Sequence, residues 1–181
     1  MGAEVVSALL RGRVVLLVAV VLTAQEALMA GLRIRGAHPD LMLLLPIAFG
    51  LVAGAERGAA MGFVAGLLAD LFVGTPFGLS ALVFTLVGFA VGMGEGDRLG
   101  GGWWVTPLTA TVASAAGVLL YAGLGAAVGE GQMLHEHLAT ITIVVAVVNG
   151  LLAPPTVRLA RWAMDLGRSS SWSTPVRSPM R

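Results

Sequence analysis

The sequence predicts an all-α integral membrane protein with about six transmembrane helices, both ends cytoplasmic, and short loops. Three observations carry that expectation. The 181 residues are 57% hydrophobic and only 12% charged, with a mean hydropathy of +0.89. Soluble domains use roughly 45–50% apolar and 25% charged residues, so this chain carries more apolar surface than a soluble core of its size hides from water. The apolar residues fall into six runs, and the arginines fall between them unevenly.

The first run, Val14 to Leu32, is about 29 Å long as a helix and crosses the hydrocarbon unaided. Its length sets it apart from a signal peptide, whose apolar region covers about 7–15 residues, so retention of this helix is expected. The runs Leu41 to Gly54, Gly58 to Val73 and Leu79 to Met93 are shorter than the roughly 17 residues usually required. They need their flanks, a locally thinner bilayer or a partly re-entrant hairpin. Trp104 to Val128 and Leu138 to Val157 complete the set, and Ala153 to Pro155 is expected to kink or end the last helix.

Orientation follows from the arginines, because basic residues concentrate on the cytoplasmic side. With a cytoplasmic N-terminus, Arg11, Arg13, Arg57, Arg98, Arg158, Arg161, Arg168, Arg177 and Arg181 lie inside, and only Arg33 and Arg35 outside. All eleven basic residues are Arg, which reads as coding bias. Residues 1–165 are expected to form the membrane domain. The Ser-, Pro- and Arg-rich residues 166–181 are expected to form a disordered cytoplasmic tail, either solvated or resting on anionic lipid.

Within the apolar runs stand two acids, Glu26 and Asp70, each costing about 2.5–3.5 kcal/mol at mid-helix if left ionised. Both need partners. Asp70 is followed by "GTPFG", Gly74 to Gly78, a turn whose backbone N–H groups need acceptors. One reading has Asp70 bracing that turn, with Arg33 or Arg35 nearby; the other makes it a polar handle for a partner's transmembrane segment or for an ion. Gly50, Gly54, Gly58, Gly62 and Gly66 recur every fourth residue, and Gly88 and Gly92 repeat the spacing. Such small residues let helices approach closely in lipid, inside the bundle or against a partner. Asn149 reads as an interhelical hydrogen-bonder, and Trp103, Trp104 and Tyr121 as interface anchors or core.

Cysteine is absent, which removes disulfides and thiolate metal sites. His135, Glu136 and His137 lack a third ligand at suitable spacing. There is no Ser/His/Asp set and no phosphate-cradling loop followed by Lys. Nothing in the sequence points to an enzyme, a cofactor or a nucleic-acid partner.

The segment "HPDLMLLLPIAFGLVAGAERGAAMGFVAGLLADLFVGTPFGLSALVFTLVGFAVG" resembles the rod-shape-determining MreD family. The matching positions are a Pro-Asp entry at Pro39 and Asp40, then Gly58, Gly62, Phe63, Gly66, Leu67, Leu68, Asp70 and Leu71, then Gly74, Pro76, Gly78, Leu79, Ala81 and Leu82, and Gly88, Phe89 and Gly92. Phe89 stands where the family more usually has Tyr. The resemblance implies a multi-pass protein of the bacterial inner membrane, a non-enzymatic scaffold of the cell-elongation machinery. It further implies binding to the single-span protein MreC, and work alongside the actin-like filament and the peptidoglycan synthases. By that resemblance Pro39, Asp40, Gly58, Gly62, Gly66, Asp70, Gly74, Pro76 and Gly78 form the partner-binding or structural motif, with Glu26 added from its place in the first run. MreD-like chains are also similar at fold level to the substrate-capturing subunit of vitamin importers, which makes a solute-binding subunit the alternative function.

Overall fold

The computed structural model describes residues 2–31, 40–72, 77–94, 103–129 and 138–164, with side chains placed from residue 12 onward except at 26, 28–31 and 72. Among them are six helices and no strand: α1 Gly2–Gly31, α2 Leu44–Ala53, α3 Ala55–Phe72, α4 Leu79–Met93, α5 Val105–Ala127 and α6 Leu138–Met164.

The centre of the bundle is the shortest helix. Leu44 to Leu51 of α2 are all buried, and Leu43, Leu44, Leu45 and Ile47 are at most 2% exposed. A helix that is apolar all round has no face to give to solvent, and it settles where neighbours cover every side. Here α3, α4, α5 and α6 all pack on it. Gly54 alone separates α2 from α3. Its φ of 85° is a region that side chains with a Cβ rarely adopt, and its N–H donates to Gly50 O at 3.1 Å. Glu56, in the first turn of α3, favourably complements that helix's positive end.

The five glycines spaced by four fall across the hairpin of the second and third runs: the chain reverses at Gly54, with Gly50 on α2 and Gly58, Gly62 and Gly66 on α3. One expectation needs correction. The prolines at 154 and 155 do not end the last helix, which runs through them to Met164. Its apolar run stops sooner because the last turns are amphipathic, with Ala160 and Ala163 fully buried and Arg158 and Arg161 exposed. Of the six runs, only α5 and α6 form helices both long and apolar enough to cross a membrane, among the described residues. The helix from the second run has 10 residues, about 15 Å of rise, and the third carries Glu56, Arg57 and Asp70.

The expected tail, Arg33, Arg35 and the His135 to His137 cluster lie outside the described residues. Trp103 and Trp104 are exposed at the start of α5, and Tyr121 is half-buried.

Candidate functional site: a glycine seam and two polar nodes

The helices α3 and α4 form an antiparallel pair without side chains at the points of closest approach. A Cβ built on Gly62 would overlap the Phe84 carbonyl, one on Gly66 the Ala81 backbone, and one on Gly92 the Ala55 backbone. Near the α2–α3 turn three helices converge. A Cβ on Gly50 would stand 2.7 Å from Gly88 O, and one on Gly58 2.8 Å from Gly50 Cα. Lipid tails are as apolar as leucine, so in a bilayer this contact gains from dispersion and close packing rather than from exclusion of water.

Asp70 closes the far end of the seam. It is 5% exposed, on the last full turn of α3, and its carboxylate receives three backbone hydrogen bonds. Gly78 N donates to Oδ2 at 2.8 Å, Ala81 N to Oδ2 at 3.3 Å and Ser80 N to Oδ1 at 3.1 Å. These are N–H groups that the first turn of α4 cannot satisfy within the helix. Gly78 occupies the N-cap with φ 101° and has no side chain to cap with. Asp70 therefore caps α4 from the neighbouring helix, and its negative charge sits at the positive end of that helix's dipole. Gly78 is the last residue of the "GTPFG" turn, and Ser80 and Ala81 lie in the first turn of α4.

The second polar node lies at the entry to α2. Asn149 is fully buried, and its Nδ2 donates to Asp40 O at 2.9 Å and to Ser114 Oγ at 3.0 Å. Leu43 N donates to Asp40 Oδ1 at 3.2 Å, and Leu41 N to Gln25 Oε1 at 2.6 Å. Four helices thus meet where α2 begins. Asn149 lies eleven residues into α6, about 16 Å along its axis, so α2 starts deep inside the bundle.

The site residues expected from sequence divide accordingly. Gly58, Gly62 and Gly66 line the seam, Asp70 and Gly78 form its cap, and Asp40 belongs to the separate node with Asn149. Pro39, Gly74 and Pro76 lie outside the described residues, as does the side chain of Glu26. Gln25 and Ser114 were not expected. Gln25 is a polar residue inside the first apolar run, the same signal that singled out Glu26; Ser114 stands in an alanine-rich stretch, where a lone hydroxyl gives no signal.

Among the described residues these features define a small all-helical bundle with two helices long and apolar enough to cross a bilayer, whose buried polar groups serve helix-to-helix contacts. No group of three or more His, Cys, Asp or Glu gathers among the described residues. The profile of the family described as rod shape-determining protein MreD matches residues 6–162, and the chain belongs to that family. Comparison with curated proteins and with solved structures returns no significant match.

Proposed function

We propose that this chain is a multi-pass, non-enzymatic scaffold of the bacterial inner membrane, serving rod-shape determination by binding MreC within the cell-elongation machinery. The family match across residues 6–162 carries the reading. Its physical support is the distribution of charge and of small residues. Arg13 and Arg57 both reach the end of α6, at Trp162 and Met164, and Arg158 and Arg161 lie on the same final turns of that helix. Such a basic end belongs on the cytoplasmic side, and in that orientation α3 would run outward through the bilayer and α4 would return. Residues 1–165 would then be the membrane domain and 166–181 a cytoplasmic tail.

With the glycine seam occupied by the chain's own helices, the contacts left for MreC, for the actin-like filament and for the synthases are the outer helix faces and the loops. Co-purification with MreC from membranes, followed by crosslink mapping, tests the proposal. A complex that survives detergent, with crosslinks from MreC's span to one helix face, is the expected result; absence of any MreC under conditions that keep this chain folded would refute it.

A further inference from the structure

The helix α1 packs chiefly on α6 and stands off from α3. Between α1 and α3 runs an open groove of about 710 Å³, walled by Val14, Val18 and Leu22 on one side and Val64 and Leu68 on the other, with Phe49 of α2 among its lining. Phe49 is 4% exposed, so the groove reaches down to the core. At one end stands Arg57.

Two observations decide what such a groove fits. The small-residue face of α3, Gly58, Gly62 and Gly66, is turned onto α2 and α4. The face of α3 left for the groove carries Met61, Val64 and Leu68 with one small residue, Ala60, and no glycine. Close helix docking in membranes relies on small residues at the contact, whereas a slender hydrocarbon chain threads between valines and leucines. The second observation is charge. Arg57 is exposed, and its one hydrogen bond among the described residues is a 3.8 Å contact to the Met164 thioether. Arg13, by contrast, is held by the Trp162 carbonyl at 3.2 Å and lies 4.4 Å over its ring. An apolar channel that ends at an arginine with no carboxylate partner among the described residues, at the basic end of the bundle, complements a lipid whose chain is apolar and whose headgroup is anionic.

We infer that the α1–α3 groove holds an acyl chain of an anionic phospholipid of the inner leaflet, with its phosphate paired to Arg57. The inference rests on the membrane-embedded reading above. Bound in this way, the lipid fills the gap beside α1 and ties that helix to the rest of the bundle.

The test uses the full-length protein reconstituted into vesicles of equal parts phosphatidylglycerol and phosphatidylcholine, then released in mild detergent, with retained lipid measured by native mass spectrometry. The wild type should retain phosphatidylglycerol over phosphatidylcholine by about fivefold, the preference one arginine gives near an anionic surface. Arg57→Gln should abolish the preference, Arg158→Gln should keep it, and Ala60→Trp, which fills the groove, should lose bound lipid of both kinds. Melting temperatures of all variants identify any that fail to fold, and Arg57, on an exposed first turn, is placed to be replaced without that loss. Equal retention of the two lipids by the wild type, or a preference unchanged in Arg57→Gln, overturns the inference. So does an Ala60→Trp variant that releases a co-purified protein while keeping its lipid, because the groove then seats a helix. A protein that does not enter the vesicles at all refutes the membrane reading instead.

Discussion

Asp70 does for α4 what a serine or aspartate at the N-cap ordinarily does, but from another helix, so its substitution tests tertiary and local structure together. Asp70→Asn keeps one oxygen, which suffices for Gly78 and Ala81 on the Oδ2 side, and turns its amide toward Ser80 N, which then loses its acceptor. Asp70→Leu removes all three acceptors. An unpaired buried N–H costs about 1–3 kcal/mol, so thermal unfolding in detergent should rank the wild type above Asn, and Asn above Leu. If Asp70 instead served only a partner, the leucine variant would melt as the wild type does and fail only to retain MreC. Asn149→Leu makes a parallel case: it leaves the Asp40 carbonyl without its donor, and a loss of about 1–3 kcal/mol is expected. Ser114→Ala, which leaves the contact between Asn149 and Asp40 in place, should lose less in the same assay.

At the scale of the element, the seam makes its own prediction. Gly62→Leu and Gly66→Leu would drive a side chain into the backbone of α4. Overpacking of ordinary cores costs about 1–3 kcal/mol, and here the obstacle cannot rotate aside, so the yield of folded protein should fall sharply. Gly123→Leu, on α5 with nothing within 4 Å of a built Cβ, should fold like the wild type. How far such elements could be read in advance depends on what holds them. The limits of α4 and α5 follow from hydropathy, because each is one uninterrupted apolar run between polar breaks. The spacing of Gly58, Gly62 and Gly66 exposed the close approach, since in a helix only contact asks for so regular a lack of side chains. The reversal showed as the break between the second and third apolar runs, but not its tightness: Gly54 alone turns the chain, and the charged Glu56 and Arg57 already belong to α3. The link from Asp40 to Asn149 was also hidden, because a backbone carbonyl has no signature in sequence and its partner lies 109 residues away.

For the whole molecule, the gathering of Arg13, Arg57, Arg158 and Arg161 toward one end predicts a single orientation. Reporter fusions after Arg13 and after Arg168 should both give cytoplasmic signals, and a periplasmic signal from either would overturn the proposed topology. The buried entry of α2 also has a consequence for how the protein is made. Bacterial and other ribosomes add roughly 5–20 residues per second, so the 109 residues between Asp40 and Asn149 take about 5–20 s to appear. Throughout that interval the central helix exists without the donor that satisfies its entry. Ten residues are too few to be stop-transferred alone, so in the proposed multi-pass topology α2 would enter the bilayer together with α3 and wait there, unfinished, for the last helix to be translated. A chain truncated at Val128, lacking α6, should accordingly be cleared by membrane proteases. Supplying residues 138–164 as a separate polypeptide in the same cell should lengthen its lifetime in a pulse-chase, and the Asn149→Leu form of that polypeptide should do so less well.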